Sequence, residues 1–586
     1  MVSQVDKKNN VDVKFSFPKR LSEAIRVCRK LTESMKKHRS KMLTQYASGY
    51  FSDKGSIAHP VNLIDRGIQI IGPLLVGGNP TIRIMPKRNY DQFMSCANTF
   101  SESMNSLIKE IEFARTLRCI VIDSLFGLGI SKIGINKTHE VEIEGYLHDV
   151  GQAYFDRVDF EDYVFDVAAK TREQMRLEGN VFRLPTDYIK ESGLYKYADD
   201  ISADYKLYGQ TDPEKIAKEG LQDYQLHELR EYSNLCELWI PEEKIIVTIQ
   251  PDAANPKIMR TVEWDGIETG PYDVLGYKYF PNSTLPIPPV FGWMDLDTMV
   301  NTLVRKMKEQ AEREKSILAY EAEAEQDAKN IVGASDGGSA RVQNIDRIKE
   351  VTYGGVNPAS YQWVQYAESQ FSMQGGNLYL MGGRSTSANT LGQEQMLQSN
   401  ASKAIEDMIT QVYEFTQRGI EKLAQFTWDD PLVQIPVIKK IPGVNVEFET
   451  VFSDYTKMGN FGDYDIEVEA YSLQRMNPEM RFNKFMQLVS GVVLPTAQMS
   501  ASQGYQIDAN ELIREAASYL GVKNLDRWWK SEVPQNVGMN SYQPVQNQSS
   551  SGVTDNRNVQ GGGSNFNNLI QKENAVAGET TAETGV

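Results

Sequence analysis

The chain has 586 residues, of which 41% are hydrophobic and 24% are charged. These fractions are ordinary for a globular protein, and the length predicts several regions rather than one small domain. Its 62 basic and 78 acidic residues give a formal charge of −16. This charge argues against a protein whose main surface binds nucleic acid by neutralising phosphates. The preferred explanation of the charge by itself is that it keeps the protein soluble.

Cysteine spacing and hydropathy exclude further classes of protein. The four cysteines, Cys28, Cys96, Cys119 and Cys236, are far apart and form no CxxC pair. The sequence therefore predicts no disulfide framework and no structural zinc site, as expected in a reducing compartment. No apolar run approaches the roughly 20 residues of a membrane span, and the first residues lack the apolar core of a secretory signal.

The first predicted element is an amphipathic helix over residues 18–48. Its apolar stripe is formed by Leu21, Ile25, Cys28 and Leu31, at spacings of three and four. The basic residues of its other face are Lys30, Lys36, Lys37, Arg39 and Lys41. We interpret them as a solvated face, with contact to nucleic acid or to an acidic neighbour as the alternative.

The rest of the first 290 residues predicts a mixed region of helices and strands. The predicted helices lie at 60–76, with Pro60 in the first turn, at 89–118, in the second part of 161–180, and in the polar segment 187–223. The predicted strands are 81–86, 140–147 and a hairpin at 237–249 that turns at Pro241. A proline-rich connector then spans 281–289 and ends regular structure.

Residues 295–428 carry the clearest pattern. A helix capped by Asp295 or Asp297 is expected to run to about Lys329, and a Gly/Ser loop at 333–343 and a short strand near 345–351 follow it. The apolar stripe of this helix comprises Leu296, Met299, Val300, Leu303, Val304 and Met307. A second helix starts at Pro358, a loop of glycines and small polar residues covers 374–393, and one long helix runs from Gly392 to Trp428. The predicted inner positions of the long helix are Met396, Ile405, Ile409, Val412, Phe415, Ile420 and Leu423.

The last part of the chain predicts strands at 431–470 and helices at 478–530. From about residue 537 to 586 the composition changes to Asn, Gln, Ser, Gly and Thr. Such a segment has too few apolar residues to offset the entropy of ordering, so we predict disorder there.

No catalytic constellation can be assembled from the sequence. The five histidines are scattered, with no HExxH. The segment FGLGISKIG at 126–134 is neither a phosphate-binding GxxxxGK[ST] loop nor a GxGxxG loop. The acidic segment 156–166 could hold Mg²⁺ or Ca²⁺, although a partly buried strand with solvated acids is the preferred interpretation. We therefore predict no catalytic, cofactor-binding or metal-binding residues.

The order of these parts resembles the portal, or head–tail connector, proteins of tailed bacteriophages, in particular podovirus-type portals. Four segments are similar to portal elements: 62–86, 159–174, 382–408 and 462–481. Segment 382–408, GGRSTSANTLGQEQMLQSNASKAIEDM, resembles the junction between a portal's tunnel loop and its long helix. The tail at 537–586, which is predicted to be disordered, departs from a minimal portal.

The resemblance implies a mainly helical α+β portal fold with wing, stem, clip and crown, assembled as a closed ring of about twelve copies. It divides the chain into a wing at 1–290, a first stem helix at 291–330, a clip at 331–357, a second stem helix at 358–375, a tunnel loop at 376–392, a long wing helix at 393–430, a strand-rich wing segment at 431–475, crown helices at 476–536 and the tail at 537–586.

A portal function implies a structural protein of the virion, present in the host cytoplasm during assembly, and no enzyme. Its partners would be further copies of itself, double-stranded DNA in transit, the terminase motor, tail adaptors and the major capsid protein, with no membrane. The DNA-channel candidates are Arg384, Arg305, Lys306, Lys308, Arg313 and Lys315, and each is equally compatible with salt bridges between subunits or with simple solvation. The alternatives are a virion scaffold or adaptor without a pore, and a metal-dependent nuclease that uses the carboxylates at 156–166.

Overall fold

The structure is a computed structural model of mixed α+β class, about 52% helical and 21% strand, so the prediction of a mainly helical α+β chain is confirmed. It describes residues 18–48, 60–143, 146–201, 232–253, 255–264, 266–376, 378, 391–430, 432–440, 447–469, 472–473, 482, 485–497, 512–513 and 516–517. Within these ranges, no helix is both long enough and apolar enough to span a membrane. The predicted tail disorder, most of the 478–530 helices and the 202–223 part of the polar segment lie outside them.

The α-helices of the described residues include α1 (Pro18–Tyr46), α2 (Leu63–Leu75), α3 (Asp91–Glu110), α4 (Phe113–Phe126), α5 (Thr186–Glu191), α6 (Pro289–Glu312), α7 (Glu325–Val332), α8 (Pro358–Gln374) and α9 (Leu391–Asp429). The strands are β1 (Ile82–Pro86), β2 (Gly129–Ile143), β3 (Tyr146–Val158), β4 (Tyr163–Phe165), β5 (Glu178–Pro185), β6 (Tyr232–Ile240), β7 (Ile245–Ile249), β8 (Ile258–Glu263), β9 (Tyr272–Leu275), β10 (Lys315–Tyr320), β11 (Ile348–Tyr353), β12 (Ile435–Lys440), β13 (Glu447–Phe452) and β14 (Tyr464–Val468).

The strands form five antiparallel sheets in the described part of the chain. A five-stranded sheet has the order β4-β5-β6-β7-β8, and a three-stranded sheet has the order β3-β2-β9. The predicted hairpin at 237–249 is confirmed as β6 and β7, in which Ile240 pairs with Ile245. Three two-stranded sheets join β1 to β14, β10 to β11 and β12 to β13. The first of these pairs strands that are far apart in sequence, because Ile84 lies opposite Ile466.

The long helix α9 is the centre of the main core. It begins and ends within one residue of the predicted bounds. The predicted inner position Met396 has a side chain outside the described part of the structure, and five of the other six inner positions are buried: Ile405, Val412, Phe415, Ile420 and Leu423. Ile409 packs at the edge of the same core. Gly419 allows close approach to the three-stranded sheet, because a Cβ there would lie 3.2 Å from Cε2 of Phe155.

Four predictions for the N-terminal half are wrong in part. The helix expected at 60–76 begins at Leu63, capped by the Asn62 side chain. The single helix expected at 89–118 is two helices, α3 and α4, separated at Glu112, whose backbone has φ 50°. The helix expected in 161–180 does not form; this segment contains β4, a short 3-10 turn and the start of β5. In α1, Leu31 is exposed and Thr32 takes a buried position instead.

The basic face of α1 is not uniformly solvated, which corrects the preferred interpretation. Arg39 is only 2% exposed. Its guanidinium lies 3.5 Å from Asp123 Oδ1 and 3.2 Å from Asp159 Oδ1. The Lys36 ammonium donates to the Glu161 carbonyl at 2.5 Å. These contacts fix α1 against α4 and the turn after β3.

A buried charge cluster joins α9 to both larger sheets. Asp273 on β9 accepts hydrogen bonds from Arg172 Nη1 at 2.6 Å and from Arg418 Nε at 3.0 Å. Arg172 also lies 3.2 Å from Glu178 of β5. One turn beyond Arg418, the Lys422 ammonium donates to the Tyr272 carbonyl at 2.7 Å. We call these five side chains (Arg172, Glu178, Asp273, Arg418 and Lys422) the charge hub.

Lys422 gives the charge hub a predicted pH dependence. Burial lowers the pKa of its ammonium to about 8 from the usual 10.5, against the attraction of Asp273. Between these two values the unfolded chain binds more protons than the folded one, so stability contributed by this group rises with pH. Relative to Lys422→Met, the free energy of unfolding of the wild type should rise by on the order of 2–3 kcal/mol between these two pH values. Below about pH 8 the difference between the two proteins should stay constant.

Urea denaturation of both proteins at several pH values between about 7.5 and 9.5 measures this difference. Taking the difference cancels the titration of tyrosines and cysteines that the two proteins share. Parallel stability curves would contradict the prediction.

Candidate functional site

Helices α6 and α8 form an antiparallel pair that carries a small folded unit between them. At one end, the rings of Trp293 and Phe371 lie 5.3 Å apart. At the other end, the Asn357 amide donates to Gln310 Oε1 at 3.3 Å. We call residues 289–374 the arm and residues 315–353 its tip.

The base of the arm is anchored by two buried polar side chains of α6. Asp297 Oδ1 accepts from the Leu63 amide at 3.0 Å, and the Asn301 side chain exchanges two 3.0 Å hydrogen bonds with the backbone of Val61. The expectation that Asp295 or Asp297 caps its own helix is wrong, because α6 starts earlier, at Pro289. Asp297 instead accepts from an amide of the first turn of α2, where the backbone N–H groups have no partner within the helix. This contact fixes the direction in which the arm leaves the core.

The tip is a strand–helix–strand unit with its own small core. β10 and β11 pair antiparallel from Lys315↔Tyr353 to Tyr320↔Ile348. The small core where α7 packs on these strands contains Ala324, Ala328 and Ile348, which are all buried. The prediction that the first helix continues to Lys329 is therefore wrong: α6 ends at Glu312, the next residues form β10, and the Ala/Glu-rich run after β10 forms a 3-10 turn and the start of α7. The short strand expected near 345–351 is confirmed as β11.

The loop between α7 and β11 is held against the tip. Asp327 Oδ2 accepts from the amides of Gln343 and Asn344 at 2.8 and 3.3 Å. Arg347 donates to Glu323 and lies 3.6 Å from Glu321. The Gly/Ser-rich stretch at 333–343 is a loop, as predicted, and the hydrogen bonds to Asp327 hold its C-terminal end.

Two glycines lie in the connection between the tip and α8. Gly354 and Gly355 have φ values of 92° and 99°, in the left-handed region that side chains disfavour. A Cβ on Gly354 would lie 2.8 Å from the carbonyl oxygen of Arg313. This close approach requires glycine where the two connections of the tip meet.

We expect Gly354→Ala to destabilise the tip by about 2 kcal/mol or more, because it adds backbone strain and a clash with backbone atoms. Hydrogen exchange of the β10 and β11 amides should become faster while that of the core stays unchanged. The matched control is Gly337→Ala, since Gly337 has φ 77° but open space around it. Equal effects of the two variants would contradict the role of the close approach.

The structure separates the basic residues that were grouped as channel candidates. Arg305, Lys306, Lys308, Arg313 and Lys315 are all exposed. Lys308 lies 3.6 Å from Glu312 in an exposed ion pair. Lys306 and Lys308 are two residues apart on α6 and therefore point to different sides. One arm thus cannot direct the whole set to a single surface, and α8 itself contains no Lys or Arg.

Arg384, the remaining candidate, lies outside the described residues, as do 379–390 of the predicted tunnel loop. The second helix and the start of the long helix that flank this loop are confirmed as α8 and α9.

The sequence interpretation missed a set of exposed apolar side chains along the arm. Trp363 and Tyr366 on α8 are 57% and 54% exposed, with ring centroids 5.7 Å apart. Met373 lies seven residues after Tyr366 and so extends the same face of α8. Other exposed apolar residues of the arm are Phe291, Ile317, Tyr320, Val332, Ile345, Val351, Tyr353, Val356 and Tyr361. Trp363 and Tyr366 fall outside the inward positions Ser360, Ala367 and Phe371, and these positions are set by the packing of α8 against α6.

No family model matches this chain, and no curated protein matches it.

The carboxylates of 156–166 do not converge on one point. Asp159 pairs with Arg39, and Asp166 accepts from the Ala168 amide at 3.1 Å. Asp156 lies on β3, where partial burial raises the pKa of its carboxyl against the nearby charge of Lys132. Among the described residues, no group of three or more His, Cys, Asp or Glu side chains is placed to hold a metal ion.

Proposed function

We propose that the chain is a non-enzymatic portal subunit, one copy of a ring through which a tailed bacterial virus moves double-stranded DNA into and out of its capsid. The resemblance of its ordered segments to portal proteins supports this proposal. The arm supports it independently, because a pair of antiparallel helices with a small folded tip suits a subunit that lines a channel and presents a docking surface.

The observation that carries the proposal is the exposed apolar surface of the arm. Large apolar side chains in contact with water cost free energy, and exposed apolar patches mark interaction sites. On the arm they occur on α8, on both strands of the tip and on the connections between them. An arm packed between two neighbouring arms would bury these faces, as a closed head-to-tail ring requires.

In this proposal, α6 and α8 are the stem, the tip is the clip, and the sheets with α9 form the wing. The clip would dock the terminase motor during packaging and tail adaptors afterwards, and the wing would contact the major capsid protein. Arg305, Lys306, Lys308, Arg313, Lys315 and Arg384 would be available either for weak phosphate contacts or for ion pairs between subunits. The acidity of the whole chain suits a conduit, because a wall that bound phosphates tightly would stall its cargo.

The direct test is the size and shape of the purified full chain, by negative-stain electron microscopy with mass photometry. The proposal expects rings with a central hole and a mass of about twelve copies of the 66.2 kDa chain. Particles that remain monomeric at every concentration, with and without capsid protein, would contradict it and favour a scaffold or adaptor. DNA cleavage on addition of Mg²⁺ or Mn²⁺ would favour the nuclease alternative.

A further inference from the structure

Helix α1 is held with one face inward and the opposite face in solvent. Leu21, Ile25 and Cys28 pack into the core beneath the five-stranded sheet. Further along the helix, buried Arg39 reaches Asp123 and Asp159. Because both halves of α1 are anchored, the direction of its outer face is fixed.

That outer face carries a straight line of cations. Exposed basic side chains occur at successive separations of seven, four, seven and four residues, which keeps them on one side of a helix. They are Lys19, Arg26, Lys30, Lys37 and Lys41, which we call the basic stripe. From Lys19 to Lys41 the stripe extends for about 33 Å at the helical rise per residue. Lys36 and Arg39, which the sequence grouped with these residues, are directed inward and do not belong to it.

Two acidic residues on the same side of α1 compensate part of the charge of the stripe, and a net excess of positive charge remains. Glu23 and Glu33 are the exposed acids of α1, and Glu33 pairs with Lys37 at 2.8 Å. Lys19, Arg26, Lys30 and Lys41 form no ion pair within the described part of the chain. A local excess of positive charge on a protein of net charge −16 is not a consequence of composition, and it attracts polyanions.

The spacing and chemistry of the stripe fit a phosphate backbone. Its length of about 33 Å is close to one turn of duplex DNA, about 34–36 Å. Long, solvated cations without aromatic side chains among them suit phosphate contacts, which position a duplex without reading its sequence. A protein partner would instead be expected to use an apolar anchor, and exposed Val27 and Leu31 lie beside the stripe rather than within it.

We propose that the basic stripe of α1 binds the phosphate backbone of duplex nucleic acid without sequence preference. This surface lies outside the arm, and its assignment does not depend on the portal proposal. It would hold a duplex against the outside of the folded core, in addition to any DNA that passes along the arms.

The test is the binding of a labelled random duplex of roughly 20 base pairs to the full chain, followed by fluorescence anisotropy between about 50 and 200 mM salt. The stripe variant replaces all five cations with glutamine, a good helix former: Lys19→Gln, Arg26→Gln, Lys30→Gln, Lys37→Gln and Lys41→Gln. We expect its affinity to fall at least about tenfold at low salt and its logarithmic salt slope to shrink by about 4. Circular dichroism verifies that the helix content is retained.

Two controls separate the stripe from net charge and from protein docking. The first replaces five scattered exposed cations that lie outside both α1 and the arm: Arg66→Gln, Lys109→Gln, Lys170→Gln, Arg176→Gln and Lys190→Gln. The second is Val27→Ser with Leu31→Ser. Both should leave the salt slope within error of the wild type.

Three results would overturn the proposal. The first is no binding by the wild type at low salt. The second is an equal loss of binding in the stripe variant and the scattered variant, which would make net charge the cause. The third is a stripe variant that binds DNA normally but changes the mass of the assembly, which would assign the stripe to an acidic surface of a second copy.

Discussion

Asp273→Ala is expected to lower the free energy of unfolding by about 3 kcal/mol or more. The Asp273 side chain is 1% exposed and accepts from Arg172 and Arg418. Without it, Arg418 can turn to solvent and Arg172 keeps Glu178, but buried Lys422 loses the attraction that favours its protonated form. Lys422 must then either stay charged near two other cations or release its proton, and both cost free energy. Breaking a buried ionic group by removing one partner is costly because the remaining charges stay desolvated.

Two variants identify charge as the cause. Asp273→Asn preserves the volume and one acceptor oxygen, and it should lose nearly as much stability as the alanine variant. Asp252→Ala removes an exposed carboxylate 3.4 Å from Arg29 and should cost no more than about 1 kcal/mol. Urea denaturation near neutral pH measures all three. A loss in Asp273→Asn no larger than in Asp252→Ala would contradict the argument.

At low pH, the free energy of unfolding of the wild type should fall to that of Asp273→Asn. Burial by itself raises the pKa of the Asp273 carboxyl, but the charges of Arg172, Lys422 and Arg418 outweigh it and hold the pKa below its usual value of 3.8. A lowered carboxyl pKa contributes stability above the unfolded value, and that contribution is lost as the pH falls through the folded value. The two denaturation curves should therefore converge only below about pH 4.

Elements with a strong local pattern could be predicted from the sequence. The helices α8 and α9 have a clear helical period, and Pro358 and the glycine-rich loop mark where they start and stop. The β6–β7 hairpin has alternating apolar residues on both sides of a polar turn. In these segments, local preference and tertiary packing favour the same structure.

Elements that depend on distant partners could not be predicted. The Ala/Glu-rich run at 321–328 has high helical propensity and does form helical turns. The segment Lys315–Tyr320 before it is instead a strand, because it pairs with β11, about 30 residues later in the chain. The break at Glu112 interrupts a continuous helical pattern, and the Ala114 amide beyond it donates to Asn79 Oδ1 at 3.1 Å. Such contacts override propensity, and no spacing rule reveals them.

The same limit applies to the candidate site. Adjacent basic residues of α1 look alike in sequence, but Arg39 is buried because Asp123 and Asp159 meet it from other elements. On α6, spacing alone shows that Lys306 and Lys308 diverge. Trp363 and Tyr366 are exposed because another side of α8 packs against α6. The sequence does not show which side of α8 makes that contact.

Trp363→Asp combined with Tyr366→Asp is expected to convert a ring of the full chain into monomers. Both side chains are more than half exposed in the single chain, so their replacement should change the free energy of unfolding of the monomer little. In an assembly each aromatic would bury on the order of 150–250 Å², and buried aromatic anchors contribute about 2 kcal/mol or more at an interface. A charged Asp on the same face would also be desolvated without a partner.

A closed ring amplifies this loss, because every subunit presents the altered face to a neighbour and every interface weakens together. The matched control is Tyr188→Asp with Phe280→Asp, which changes two aromatics outside the arm that are 52% and 59% exposed. Mass photometry of the three proteins at one concentration, with urea denaturation to verify folding, gives the result. Monomers from the α8 variant and rings from the control would assign the interface to this face of α8. Rings from both would show that the arms do not pack through it, and monomers from both would trace the effect to added charge.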